Sequence, residues 1–473
     1  MGNHNSHKRS SSNSKEEPTT SVPTRSASTK AYTPCLEKLF QKLELTADNN
    51  TEHPGEITRA TFEKAFHGPL HVFGKLLYNQ MCDNSRKERI TREQFIKSGK
   101  EIVKMFDETA QHKYYFRLFA NGKDNLDKED ALKMVNVSYA LTLSSSMIPY
   151  SCSPQDDKLF ESMALSMFGI KDTLSFDSFS KWLAQHCPHM FSGVHNWVHQ
   201  ILTGSKMPSE LETAPFPLLE RFVEGKYCMS MGMLWALSAT IPYQYTHSAK
   251  EDSAQQDTSP GFKNPLLTSF HLLMKLARLS GCQSWTLLYD SCEHGLSLNR
   301  FTHHISSYNG PTITLISFEG RNMYCVAEDK GWSEGPVRFG GDDTMLIQLT
   351  PAYRVVQAGG PMVLWNEHER SLPQGIKIGK DDKSAVLFIP SDFDKIQHYG
   401  VNCGLTRLEV WGCGGTEAKK AQLKQKQWER KDVEKHRGRK LKLETNWNEN
   451  PDKMLLNWGG IQTDHQHSRE GGF

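Results

Sequence analysis

No uninterrupted apolar run of eighteen residues occurs in the 473-residue sequence, so no transmembrane helix is expected. The longest apolar stretch, Cys228 to Tyr243, is broken by Ser and Gly and suits a buried helix. Charge of one sign is also missing. The 56 Lys and Arg against 54 Asp and Glu leave +2, too little for a global field that recruits nucleic acid. None of the ten cysteines forms a CxxC pair and no secretory leader is evident, which points to reduced thiols in the cytosol. There is no G-x-S-x-G elbow, no P-loop, no G-x-G-x-x-G after a strand and no Cys in a recognisable catalytic context. The sequence therefore assigns no catalytic residue and reads as a non-enzymatic interaction protein. Cys282, Cys292, Cys325, Cys403 and Cys413 leave one alternative, an oxidative-stress protein with reactive thiols. Scavenging of that kind is stoichiometric without a low thiolate pKa and a resolving Cys.

The first residues, Met1-Gly2-Asn3-His4-Asn5-Ser6, fit the pattern for N-myristoylation of Gly2, the one residue whose amine is unhindered. One acyl chain binds membranes only marginally, so a second signal is needed. Lys8, Arg9 and Lys15, with Arg25 and Lys30 behind them, are expected to face an anionic membrane surface. Ser10, Ser11, Ser12 and Ser14 lie among them, where phosphorylation would cancel that attraction.

Composition divides the chain further. Residues 1–33 are polar and read as a disordered tether, and residues 34–213 carry short amphipathic patterns and read as an all-helical domain. Residues 214–263 hold a connecting helix and a polar linker. From 264 to 414 the period shortens, with β-rich runs at Thr312–Ile316, Met323–Val326, Met345–Ile347 and Ala385–Ile389. Residues 415–445 form a basic helix and 446–473 a polar tail.

Within the helical half one pattern recurs four times: an apolar residue, then a polar one, then a helix start. The copies begin Ile57-Thr58, Ile90-Thr91, Leu126-Asp127 and Leu174-Ser175. This resembles the second half of EF-hands, where the central apolar residue pairs with its neighbour loop and the next residue caps the exiting helix; four copies imply two pairs. Calcium needs oxygen ligands at loop positions 1, 3 and 5, Gly at 6 and Glu at 12. Thr61, Gln94 and Ser178 stand at three of the last positions, and Phe119 begins the third loop, whose Asn121, Asp124 and Asp127 are the least poor ligands. A calcium-independent scaffold is expected, a calcium-responsive binding module being the alternative. His186, His189, His195 and His199 cluster in sequence, but without H-E-x-x-H they are read as packed or exposed, and no metal site is assigned.

In the β-rich region several pieces follow in a specific order. They are Leu272-Leu273-Leu276-Leu279 as an opening helix, Trp285 to Asp290, His294-Gly295-Leu296-Ser297 leading to Phe301, Gly310 to Ile316, Phe339 to Asp342 and Leu408-Glu409-Val410-Trp411-Gly412. Together they resemble the TLDc family, also seen in oxidation resistance proteins. The resemblance implies a two-sheet β-sandwich flanked by helices, which suits Trp285 and Trp411 as core residues. Met323-Tyr324-Cys325-Val326 and Met345-Leu346-Ile347 depart from the usual family wording, apolar for apolar. The arrangement, with its myristoylation pattern and EF-hand-like half, is most similar to lysosome-associated, mTOR-associated members. What that implies is peripheral attachment to the cytosolic face of the lysosome, a role in mTOR signalling, and binding or regulation of the vacuolar proton pump.

The whole thus reads as an α+β multidomain chain: an all-α EF-hand-like half, a TLDc two-sheet β-sandwich with flanking helices, and a basic C-terminal helix. No cofactor is expected beyond covalent myristate. Glu409, alternating against Leu408 and Val410, is either a solvent-facing strand residue or a contact to a partner protein. In the last helix Lys424, Trp428, Arg430 and Lys431 are the candidate partner-binding residues, Trp428 being its main apolar anchor. Such a helix is either simply solvated or an arm for a protein groove or acidic surface. Poor aromatic interleaving speaks against nucleic acid.

Overall fold

The structure, a computed structural model, describes residues 26–46, 55–82, 88–146, 148–204, 218–220, 222–249, 279–282, 284–383, 385–445 and 451–460. The chain divides into two compact units, Met1–Gln111 with Asn196–Leu211, and His112–His195 with Glu212–Phe473.

In the first unit, α1 (Ser26–Leu45) precedes β1 (Glu56–Thr58), α2 (Arg59–Lys64), α3 (His71–Met81), β2 (Arg89–Thr91) and α4 (Arg92–Val103). The two short strands pair antiparallel with Ile57 opposite Ile90, both buried. Each strand ends in the threonine that starts the next helix: the Thr61 amide donates to Thr58 Oγ1 (3.2 Å) and the Gln94 amide to Thr91 Oγ1 (3.3 Å). Gln94 Oε1 accepts the Thr91 amide in return, closing a capping box. Thr91→Ala is expected to cost about 1 kcal/mol of unfolding free energy, read by urea titration with the slope unchanged. A Cβ on Gly99 of α4 would stand 2.7 Å from a terminal methyl of Leu36 of α1, so Leu36 packs directly over the glycine and would have to shift for a larger residue. Trp197, from the helix α9 (Ser192–Gly204), closes this core against Phe66 and Phe73, with ring centroids 6.2 and 5.9 Å away.

The second unit opens with α5 (Glu108–Ala120), α6 (Lys128–Ser145), α7 (Pro154–Ser166) and α8 (Phe176–His186). Leu126 and Leu174 exchange backbone hydrogen bonds of 3.0 and 2.9 Å, and Asp127 and Ser175 cap α6 and α8. The four copies of the sequence pattern are therefore two bridged pairs, as the spacing implies. They do not share one unit. The helical residues expected as a single domain over 34–213 are split, and the second pair is grouped with the β-rich region. The physical link is α10 (Met231–Ser238), buried on every side because no turn of it is polar. Asp156 of α7 hydrogen-bonds Ser230 at its start, and Thr240 Oγ1 donates to the carbonyl of His186 (2.9 Å) at its end.

The β-rich region comprises β3 (Leu218–Leu219), β4 (His247–Ala249), β5 (Leu279–Cys282), β6 (Ser284–Asp290), β7 (Thr312–Phe318), β8 (Asn322–Glu328), β9 (Met345–Thr350), β10 (Arg354–Ala358), β11 (Val363–Asn366), β12 (Gly375–Ile378), β13 (Leu387–Pro390), β14 (Lys395–His398) and β15 (Val401–Gly412). Strand order is β10-β9-β8-β7-β15-β14-β13-β12-β11, with β6 on β15 and β3 on β6. One long strand joins two halves. Residues 401–404 of β15 pair with β14, whereas residues beyond the register shift at Leu405 pair with β7 and β6. Ile316, Tyr324, Val326 and Leu346 of one half and Ile376, Ile378, Leu387, Ile389 and Ile396 of the other share one core. This is the two-sheet sandwich, with Trp285 and Trp411 fully buried as expected. Of the expected opening helix, Leu272, Leu273 and Leu276 lie outside the described residues, and Leu279 opens β5 instead.

Candidate functional site

The site with the clearest outward chemistry is the helix Gly415–Thr445. It leaves β15 at Gly414, whose amide donates to Tyr308 Oη (2.8 Å), and runs over the end of the helix Leu298–Ile305. A helix end leaves carbonyls without partners. Gln422 Nε2 donates to the carbonyls of His304 and Ser306, both at 3.0 Å, and Lys426 Nζ donates to that of His303 at 2.6 Å. Ser307 Oγ donates to Glu429 Oε1 at 3.1 Å. Residues 418, 422, 426 and 429 follow the helical repeat, so this docked face fixes which residues point away. Lys424, Arg430 and Lys431 are exposed, and Trp428 is 62% exposed. Lys424, Trp428 and Lys431 thus follow one face of the helix, i, i+4 and i+7, whereas Arg430, also exposed, lies on a different side of it. Gln422, Lys426 and Glu429, which aim it, were not singled out in the sequence; their i, i+4, i+7 spacing was the available signal.

Around the dock the rings of Tyr289, His294 and His304 stack, His294 and His304 with centroids 3.7 Å apart. Burial, followed by the neighbouring His294, His303, Lys426 and Lys419, lowers the His304 pKa to about 4. His304 therefore stays neutral at physiological pH, and the dock carries less positive charge than its composition indicates.

Glu409 is corrected. It is neither solvent-facing nor a surface contact, because β15 is flanked by β6 and β7 and its Glu409 face is covered by the residues before α10. Its side chain is fully buried, with Oε2 accepting the Met229 amide at 3.1 Å and Oε1 unpartnered. Asp290 stands opposite it in register, and Arg407 binds Asp290 at 2.9 Å. Burial first, with Asp290 adding to it and Arg407 opposing, raises the Glu409 pKa to about 7. Arg407 and Glu409 sit two apart on one strand, hence on one face, which is the signal that could have revealed the cluster.

In the third EF-hand-like loop a lysine pairs with the carboxylates. Lys123 Nζ lies 2.7 Å from Asp127 and 2.6 Å from Asp130, and this contact holds the Asp127 pKa down to about 2. The histidines engage different partners: His186 Nδ1 accepts the Val355 amide (3.1 Å), His195 Nδ1 meets Tyr115 Oη (3.1 Å), and the His189 ring lies tilted against Tyr243 with centroids 4.5 Å apart. Among the described residues no group of three His, Cys, Asp or Glu is placed to hold a metal. Burial pushes the thiols of Cys187 and Cys228 up to about 12, away from nucleophilic use. Gly2, Lys8, Arg9 and Lys15 lie outside the described residues. Among the described residues no helix is long and apolar enough to cross a membrane.

Comparison with known families decides what the sandwich is, since residues 266–414 match the model of the TLDc domain. The chain carries a TLDc domain. Restriction of telomere capping protein 5 of Candida glabrata is 24% identical over 177 residues, a match covering 30% of this chain and 30% of that protein. The chain thus spans less than a third of that relative's length. TLDc proteins are in general non-catalytic regulators. In this chain the TLDc domain ends at the residue from which the basic helix departs, so the helix is held by the domain's own helix end rather than by a separate fold.

Proposed function

We propose that the protein is a non-enzymatic, peripheral-membrane adaptor on the cytosolic face of the lysosome. It acts through protein binding by its TLDc domain and basic helix, in mTOR signalling or in regulation of the vacuolar proton pump. The observation that carries this reading is the helix Gly415–Thr445, aimed by Gln422 and Lys426 so that Lys424, Trp428, Arg430 and Lys431 stand free of the domain that holds it. Myristate on Gly2, with Lys8, Arg9 and Lys15, would confine the chain to an anionic membrane and raise its effective concentration at a resident complex. A rigid helix with one large aromatic amid cations suits a groove with an acidic rim.

The test is a quantitative pull-down from lysosomal extract, with catalytic-sector subunits of the proton pump and mTOR complex components read by mass spectrometry. Full-length protein and Gly2→Ala are expected to capture the same complex, because the folded domains recognise it. Trp428→Ala combined with Lys424→Glu and Lys431→Glu is expected to lower capture at least tenfold. Equal capture by that variant would remove the helix from the reading, and capture of neither complex by any form would reject the reading itself.

A further inference from the structure

Residues 222–229 form a strap laid across the Glu409 face of β15, before Ser230 caps α10. Four contacts hold it. Arg407 Nη2 donates to the Lys226 carbonyl (2.8 Å), the Lys226 ammonium pairs with Glu293 (2.6 Å), Gln155 Nε2 donates to the Cys228 carbonyl (3.1 Å), and the Met229 amide donates to Glu409 Oε2 (3.1 Å). Tyr227 stands edge-on to the buried Trp411 ring at 5.5 Å. Of these contacts the one to Glu409 is the most deeply buried, and it is unbalanced. Two carboxylates, Glu409 and Asp290, face each other across β15 and β6 with Arg407 as the cation between them. Arg407 is committed to Asp290 and to the Lys226 carbonyl, and Glu409 Oε1 has no partner; the strap amides of Met229 and Cys228 favour the anion, but burial and Asp290 outweigh them. Cys228 of the strap also faces Glu409, Cys292 of the short helix Ser291–His294 lies by Cys228 and Arg407, and β7 contributes Leu315 opposite Glu409.

We infer that Glu409 is a proton-operated clasp: with the carboxyl neutral the strap is closed on the sandwich, and loss of its proton loosens the strap and thereby the hold of α10 on the second helical pair. An unpartnered buried oxygen costs little as part of a neutral acid and much as part of an anion beside Asp290. The sign follows from the raised pKa. The stabilisation is fully present below pH 4.5, the ordinary glutamate value, and is lost as pH rises through about 7. A closed state with a pKa near 7 and an open one with an ordinary carboxyl differ by a factor that grows about tenfold between pH 6 and pH 8.

Hydrogen exchange on the full chain reads this directly. After correction for the intrinsic pH dependence of exchange, opening at residues 228 and 229 is expected to rise about tenfold from pH 6 to pH 8, while β7 stays unchanged. Glu409→Gln keeps a carbonyl oxygen for the Met229 amide and cannot titrate, so its strap exchange is expected to be the same at both pH values. A flat wild-type strap, or a strap and β7 that change together, overturns the clasp whatever the variant does. A pH dependence that survives Glu409→Gln overturns it as well.

Discussion

Arg407→Met is expected to lower the unfolding free energy of the TLDc domain by about 3–5 kcal/mol, the usual cost of removing one partner of a buried ion pair. Asp290 is 1% exposed, and both its oxygens are directed at Arg407, at 3.3 and 2.9 Å. Without the guanidinium, the buried Asp290 carboxylate faces the Glu409 carboxyl with no cation between them, and the strap loses the donor to the Lys226 carbonyl. Methionine keeps much of the stem volume, so the loss reports charge rather than a cavity. Thermal unfolding of the full chain, with Arg407→Lys beside it, checks this. Lysine restores one charge but not the fork that reaches both Asp290 and Lys226, and is expected to recover only part of the loss. An Arg407→Met protein as stable as wild type would mean that Asp290 takes a proton at little cost.

The second large effect is expected at Gly375, the first residue of β12. Its φ is +133°, and a Cβ there would stand 2.1 Å from the Ile389 carbonyl oxygen and 2.9 Å from Pro390 Cα. Both are backbone atoms of the partner strand β13, paired in register as Gly375 with Pro390 and Ile376 with Ile389, so no side chain can swing aside. Gly375→Ala must therefore separate two strands whose inward residues Ile376, Ile378, Leu387 and Ile389 belong to the shared core. The expected result is insoluble protein, or a TLDc domain that melts well below the wild type, whereas Gly360→Ala, with nothing within 4 Å, is expected to fold at a moderate cost from its positive φ alone. The contrast between these two glycines separates crowding from backbone strain.

Much of the frame was legible from residue order. The four Ile/Leu-polar repeats fixed both the paired bridges and the caps, because a cap needs only a short oxygen side chain three residues before an amide that must be satisfied. The strand runs at 312–316, 323–326 and 345–347 fall within β7, β8 and β9, since a buried strand is spelled by β-branched and apolar residues without help from distant sequence.

The Glu409 environment did not follow. Alternation along β15 places Glu409 opposite Leu408 and Val410, but whether that second face meets water depends on a strap 180 residues earlier in the chain. No local pattern encodes such a cover. The same holds for the grouping of the second helical pair with the sandwich, which rests on Asp156 meeting Ser230 and His186 meeting Thr240 and Val355. Local chemistry thus determined the elements, their caps and the TLDc core, because each is decided within a few residues by hydrogen-bond satisfaction and apolar period. Tertiary structure alone decided which charges are buried and which face each other, because burial is a property of what the rest of the chain lays on top.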